Sequence, residues 1–327
     1  MINVCIVGYG SIGPVHAKAC SITEGVKVYG ICDIDILKAD KRAKEYNAKA
    51  FYNIDEALSD NNIDSFHICT PHYLHYEMVS KVLNHGKKVV CEKPVVMVKE
   101  DFEKTLNDWK DKPVSVMFQN RNNPSIQCLK KIIETDESIG KLIGVKGIVT
   151  WCRTESYYAS ASWRGKKDKE GGAVLINQAI HTLDLITFLC GKVTKVKANT
   201  ANHSLEGIIE VEDTVEAYMT FENGFHGLFY ASVANSFDSP PLIELKFENA
   251  LFRYMDGCLY KNGELLEKDI APSIGKPCWG SGHALEIHNI YNENKQISIE
   301  DVANTMYAVF GIYESAAKGG KEITLWK

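Results

Sequence analysis

The stretch Val4-Cys5-Ile6-Val7-Gly8-Tyr9-Gly10-Ser11-Ile12-Gly13 sets an apolar run against three glycines in the order G-x-G-x-x-G, and an amphipathic segment over 13–21 follows. A strand that enters such a turn and leaves as a helix predicts a dinucleotide-binding unit. Gly8 permits the tight turn, Gly10 lets the backbone approach a pyrophosphate, and Gly13 allows close packing of helix on strand. The pyrophosphate would meet the helix N-terminus at Ser11 and Ile12, where unpaired N–H groups and the helix dipole favour negative charge. Glycines collect in turns for steric reasons alone, so the motif counts only because strand and helix flank it. A second strand-like run, 27–32, ends at Asp33, about 20 residues past the turn, where a carboxylate accepts hydrogen bonds from ribose hydroxyls. Asp33 would repel a 2′-phosphate, and Ile34 and Asp35 offer no positive charge to hold one. NAD is therefore expected over NADP.

Outward from this turn, short apolar runs (2–7, 27–32, 65–69, 88–91 and 114–118) alternate with amphipathic segments (13–21, 36–46, 75–85 and 102–110). That rhythm predicts βαβ units and an α/β, doubly wound parallel sheet of the Rossmann kind over residues 1–120. After Arg121 the pattern changes. A helix over 125–135 leads into an alternating strand over 141–151, a polar aromatic stretch through Arg164, and a helical segment over 171–189. Strand-like runs follow at 193–200, 213–221, 224–231, 242–247 and 250–255. Asn223-Gly224 and Asn262-Gly263 mark hairpin turns, and helices over 283–291 and 299–318 close the chain. Residues 121–327 are thus expected to form an α+β domain with an antiparallel or mixed sheet.

Composition limits the functional classes. At 327 residues, two cores are expected, and 24% charged with 45% hydrophobic residues is the balance of a compact soluble protein. A net charge of -5, without acidic or basic blocks, gives no footprint for nucleic acid or an anionic membrane, so small-molecule partners are expected. Ten cysteines are scattered without a C-x-x-C pair, several inside apolar runs. They are expected to be reduced, buried small hydrophobes: Cys5, Cys20, Cys32, Cys69, Cys91, Cys128, Cys152, Cys190, Cys258 and Cys278. No apolar run is expected to reach the roughly 20 residues of a membrane helix, and no signal core is expected at the N-terminus, so a cytoplasmic location is the default.

Thr70-Pro71, His75, Cys91-Glu92-Lys93-Pro94, Phe118-Gln119-Asn120-Arg121, Trp163-Arg164-Gly165, the run from Gly171 to Asp184 and Tyr313-Glu314-Ser315-Ala316 together resemble the Gfo/Idh/MocA family of NAD(P)-dependent sugar and polyol oxidoreductases. The resemblance implies a Rossmann domain followed by a domain with an open, mostly antiparallel sheet, whose exposed face forms the interface of a homo-oligomer, a dimer or tetramer. It implies a substrate held between the domains over the nicotinamide, and a cofactor lined by Thr70, Pro71, His75, Glu92 and Lys93. It assigns the chemistry to Lys93 and His181.

Oxidising a secondary alcohol sends a hydride to the cofactor and the hydroxyl proton to a base. A neutral imidazole suits the base, since its ordinary pKa of about 6.5 needs little tuning, and Lys93 at a strand end would stabilise developing alkoxide charge. Alone, such a His is more often structural and such a Lys a solvated loop charge. Asn177 and His181 are four residues apart and on a helix would share a face, with Asp184 three further on. Many family members carry Asp at the position of Asn177; an amide cannot take a proton, so Asn177 is expected to orient substrate hydroxyls. Asp184 is expected among the substrate-binding residues, where it either fixes the His181 tautomer or bonds backbone. Tyr157, Tyr158, Trp163 and Arg164 are expected to contact substrate, with interface packing as the alternative, and His283 is expected near the cleft by resemblance. His72-x-x-His75 lacks the partners of a tetrahedral metal set, so no metal is expected. Against the dehydrogenase stand two other classes: a glycosidase that oxidises its sugar transiently, and a non-catalytic NAD-binding regulator.

Overall fold

The computed structural model describes residues 1–272, 274–276 and 279–326. Six strands, β1 (Ile2–Val7), β2 (Val26–Cys32), β3 (Lys49–Phe51), β4 (Ser65–Ile68), β5 (Lys88–Glu92) and β6 (Val114–Met117), pair in the order β3-β2-β1-β4-β5-β6. Every pairing is parallel. Chain order reverses between β1 and β4, and at such a switch point the crevice beyond the carboxyl ends of the strands takes the ligand. The strands are buried on both faces by α1 (Gly13–Ile22), α2 (Ile36–Glu45), α3 (Ile54–Leu58), α4 (His75–Asn84) and α5 (Lys99–Asp108), which explains their continuous apolar runs. β3 and α3 escape sequence reading because each is too short for periodicity to register.

After α6 (Pro124–Thr135) comes the second sheet: β7 (Leu142–Thr150), β8 (Val193–Ala201), β9 (Thr214–Phe221), β10 (His226–Ser232), β11 (Leu242–Phe247), β12 (Leu251–Met255), β13 (Cys258–Lys261), β14 (Glu264–Lys268) and β15 (Ile323–Thr324). Their order is β14-β13-β12-β11-β7-β10-β9-β8-β15, antiparallel throughout except for the parallel pair β7–β10. Both Asn-Gly signals close hairpins. Gly224 takes φ +84° between β9 and β10, and Asn262 and Gly263 both take positive φ between β13 and β14, as a type I′ turn requires. Asp256-Gly257 makes the same kind of turn between β12 and β13.

The helix expected over 171–189 is broken into pieces. A short α7 (Glu155–Ala159) and α8 (Lys167–Glu170) precede a π-helical segment, Val174–Ala179, and the regular α9 spans Ile180–Cys190. Gly171 takes φ +84°, and a Cβ on Gly172 would strike the Tyr313 ring, so the chain bends here against α11 (Ala303–Ala317). The expectation that no apolar stretch reaches membrane length is also corrected: residues 167–190 pass by length and composition, but most of this helical stretch is buried inside the fold, as a core helix is.

The pattern change near residue 120 coincides with the passage from the first sheet to α6, yet the C-terminal half does not stay apart. Helix α10 (Gly282–Asn292) returns to pack Ile287 and Ile290 against Ala17, Cys20 and Val4 of the first sheet's layer, and Val116 donates to the Ile297 carbonyl at 2.8 Å. Tyr307 and Phe310 of α11 meet Phe102 of α5. Among the described residues the cysteines are free thiols, six of them buried; Cys278 lies outside the described residues.

Candidate active site

The glycine turn has the form that steric reasoning requires. Gly8 takes φ +89°, and a Cβ there would lie 2.9 Å from the Cys69 carbonyl group; a Cβ on Gly13 would lie 2.5 Å from the Gly8 oxygen. Gly10 differs, because nothing lies within 4 Å of where its Cβ would be. That open ground lies just ahead of α1, whose N-cap, Ile12, makes no side-chain capping bond, and Pro14 occupies the first turn. The residues thus fit a pyrophosphate: free donors, a positive helix end and no side chain in the way. Asp33 ends β2 and is buried, accepting from the Tyr9 N–H at 2.8 Å and the Asp35 N–H at 2.9 Å. One cation was not foreseen: Lys38, one turn into α2, lies 3.3 Å from both carboxylate oxygens of Asp33.

At the end of β5, the Lys93 ammonium donates to the Asn177 backbone oxygen at 2.8 Å and to its side-chain Oδ1 at 3.2 Å. Burial lowers its pKa from the usual lysine range to about 8, more than the neighbouring Glu92 and Glu170 carboxylates raise it. The Asn177 amide is turned by the π-helical segment so that Nδ2 donates to Glu170 Oε1. The expected sharing of a regular α-helical face by Asn177 and His181 is thereby corrected, and the amide is occupied on both sides by protein. Sequence reading missed Glu170. It closes the charged run Lys166-Lys167-Asp168-Lys169-Glu170, which looks like a solvated face, yet its side chain is fully buried and also accepts the Gly165 N–H. A carboxylate therefore stands behind Asn177 after all.

His181, on the first turn of α9, has a buried Nδ1 without a hydrogen-bond partner. Burial, and then the Lys93 charge, push its pKa well below the ordinary value, so its imidazole is neutral with a free ring nitrogen. Asp184 does not supply that partner. Its two oxygens take the Arg121 guanidinium at 2.8 and 2.6 Å, and Oδ1 also accepts from Thr305 at 2.7 Å. With this carboxylate 1% exposed and saturated, the substrate and tautomer roles expected for Asp184 are replaced by a structural one, joining the turn after β6 to α9 and α11.

The His75 ring nitrogens lie 2.7 Å from the Pro94 oxygen and 2.9 Å from the Thr70 oxygen, so the ring sits between the Thr70-Pro71 loop and the loop after β5. His72 bonds the Glu170 carbonyl at 2.8 Å, and its ring meets Trp163 with centroids 4.9 Å apart. Arg164 lies over the rings of Tyr157 and Trp163 at 4.3 and 4.8 Å and bonds the Tyr157 hydroxyl. Tyr158 is buried beneath Gly165 with an unpaired hydroxyl, so this aromatic loop splits into a partly exposed group, Tyr157, Trp163 and Arg164, and a packed one.

Glu92 faces inward. Its Oε1 lies 2.8 Å from His16 Nε2 and its Oε2 accepts the Lys93 N–H at 3.2 Å. Burial alone would raise this carboxyl, but the His16 hydrogen bond and the nearby positive charge bring it down to about 2. His283 of α10 joins it: among the described residues, one ligand-type atom each from His16, Glu92 and His283 lies within 4.8 Å of the others. Burial lowers the His283 pKa to about 3, which leaves it neutral. His16 could have been suspected from its place three residues past the last glycine of the turn.

A Rossmann sheet with a built phosphate turn, joined to an open antiparallel sheet, with an unpaired imidazole and a buried ammonium between them, defines a nucleotide-dependent oxidoreductase scaffold. The chain belongs to the Gfo/Idh/MocA family: residues 2–119 match its NAD-binding Rossmann-fold oxidoreductase model and residues 126–253 its C-terminal domain model. It is 30% identical over 234 residues to an uncharacterized oxidoreductase of Streptococcus pneumoniae serotype 4, covering 68% of this chain and 60% of that protein. It is 28% identical over 235 residues to 2,7-anhydro-N-acetylneuraminate hydratase of Escherichia coli K12, with the same shares. The chain thus spans about 60% of the length of these curated relatives. Among solved structures, the WlbA dehydrogenase of Bordetella pertussis, in complex with NADH and UDP-GlcNAcA, superposes with a TM-score of 0.84 at 26% identity, over 100% of this chain and 99% of that one.

Proposed function

We propose that this protein is an NAD-dependent dehydrogenase acting on a secondary hydroxyl of a sugar, an inositol or a sugar derivative. The observation that carries the reading is the neutral, unpaired Nδ1 of His181 close to the Lys93 ammonium, beside the carboxyl ends of the strands that hold the glycine turn and Asp33. Bound there, NAD supplies the hydride acceptor. His181 receives the hydroxyl proton, and Lys93, held by Asn177, stabilises the negative charge that develops on oxygen. Trp163, Arg164 and Tyr157 offer rings and a guanidinium for stacking on and bonding to a polyhydroxylated ring. Residues 1–120 carry the nucleotide and 121–327 the substrate and the oligomer contact.

Purified protein mixed with NAD and a panel of sugars and polyols should produce NADH with at least one of them, and His181→Ala should lower kcat about 100-fold or more. Unchanged turnover in His181→Ala rejects the base assignment. The hydratase named among the relatives favours one second reading, in which the sugar is oxidised transiently, a bond to carbon is broken by elimination, and the hydride returns. That enzyme would release product without net NADH. The outer face of the second sheet supports a homo-oligomer, since Tyr218 and Leu228 are directly paired there and are 44% and 53% exposed. The free cysteines among the described residues support a cytoplasmic location.

A further inference from the structure

Behind Glu92 runs a line of side chains that the hydride chemistry does not use. His16 Nε2 lies 2.8 Å from Glu92 Oε1, and His16 Nδ1 lies 2.8 Å from His67 Nδ1. His67 Nε2 lies 2.8 Å from the Tyr291 hydroxyl, which lies 2.7 Å from Ser65 Oγ. The links come from α1, from β4, where Ser65 and His67 share a face two residues apart, and from α10. Ser65, itself 0% exposed, stands in the wall of a cavity of about 250 Å³ whose rim includes the exposed Lys88, Asp111, Lys112 and Asn294. The line thus starts at the carboxyl end of the parallel sheet, where Lys93 stands, and emerges near its opposite end.

We propose that Glu92, His16, His67, Tyr291 and Ser65 form a proton relay between the active site and the cavity at the far end of the sheet. Its use in turnover rests on the dehydrogenase reading, because oxidising an alcohol leaves one proton to be removed for each hydride transferred.

Donor counting shows why this line conducts. When His16 is neutral with its hydrogen on Nε2, that hydrogen points at the Glu92 carboxylate and Nδ1 is an acceptor. His67 must then donate from Nδ1, so its Nε2 accepts from Tyr291, whose oxygen in turn accepts from Ser65. All four donors point toward Glu92. When His16 carries a second proton on Nδ1, every other donor reverses: His67 donates from Nε2 to Tyr291, Tyr291 to Ser65, and Ser65 to water. The two arrangements differ by one proton, and a shift along the line interconverts them. Ser65 gives its hydrogen to water and receives that of Tyr291. Tyr291 takes the proton of His67 Nε2, and His67 Nδ1 takes that of His16 Nδ1. One proton leaves as hydronium when water in the cavity reaches Ser65, and His16 returns from cation to neutral. In the opposite direction the same line brings a proton in from water for ketone reduction.

The surroundings suit this role. Burial lowers His67 and raises Tyr291, so both stay neutral links, while Glu92 stays an anion beside His16. Cys20 Sγ, 3.9 Å from His67 Nδ1, touches the line without being a link in it.

The test needs neither substrate nor cofactor, so its outcome is separate from that of the dehydrogenase reading. In full-length protein labelled with 15N-histidine, exchange of the His67 and His16 ring protons with water is measured by NMR in the wild type, Tyr291→Phe, Ser65→Ala and Cys20→Ala. Tyr291→Phe removes the link to the cavity and Ser65→Ala its exit. Exchange should slow about tenfold or more in both, because it then waits for local opening, and Cys20→Ala should match the wild type. If Tyr291→Phe does not fold, Ser65→Ala alone carries the test. Wild-type exchange in both variants, or equal slowing in Cys20→Ala, overturns the relay.

Discussion

Asn177→Asp would put a carboxylate at the position where many members of this family carry one, and the structure sets the size of its effect. The Oδ1 atom that becomes anionic lies 3.2 Å from Lys93 Nζ. At that distance an ion pair is worth about 5 kcal/mol at an effective dielectric near 20. The realised effect is smaller, because Oδ1 already bears partial negative charge. The other new oxygen would also face Glu170 Oε1, the present acceptor of the amide, so the two carboxyl groups would compete for one proton. A rise of roughly 1–3 units in the Lys93 pKa is expected for a carboxylate so placed. Lys93 should then titrate above its native value of about 8. The assay is a pH titration of 13C-labelled lysine Cε resonances by NMR, with Lys93 assigned through Lys93→Arg. Because a more basic lysine stays charged longer, the alkaline limb of NAD reduction should move upward with it. Glu170→Gln in the native background should act in the opposite direction, because it removes a carboxylate that raises Lys93. A Lys93 resonance that still titrates near 8 in Asn177→Asp would refute the pairing on which this site is built.

The glycine turn separates fold from cofactor. Gly10→Ala places a methyl in open ground and should leave the denaturation midpoint unchanged while weakening NADH binding about tenfold or more, read by NADH fluorescence. Gly13→Ala must displace the Gly8 oxygen and should lower both. Asp33→Ala should weaken NAD binding and narrow the preference over NADP, since Lys38 then loses its 3.3 Å pair, keeps only the 3.9 Å one with Asp35, and can turn to a 2′-phosphate; direct titration with both cofactors decides it. Asp184→Asn leaves the buried Arg121 without its counter-ion and should cost about 3–5 kcal/mol in urea unfolding.

The first sheet was legible because its units obey local rules: strands buried on both faces read as apolar runs, and the turn needs a positive φ at Gly8 and no Cβ at Gly13 against the Gly8 oxygen. The sequence also pointed to Lys93 and His181, although only through resemblance, since a lone lysine or histidine carries no signal of its own. What could not be read was set by long-range closure. Asp184 and Arg121 are 63 residues apart, and only the meeting of the turn after β6 with α9 reveals that each neutralises the other. The helical face expected to join Asn177 to His181 fails because Gly171 and the close approach of Gly172 to Tyr313 force a π-helical turn, a constraint imposed by α11 more than 130 residues later. Glu170 shows the limit most clearly. Four charged neighbours make it look solvated, and its burial depends on Gly165 and Asn177 closing over it. The absent carboxylate at position 177 was thus offset from a position that no local pattern marks, and the electrostatics around Lys93 depend on Glu170 and Glu92 together. A substitution at Asn177 therefore cannot be judged by that position alone, and any relative with Asp there should be compared together with its residue at the place of Glu170.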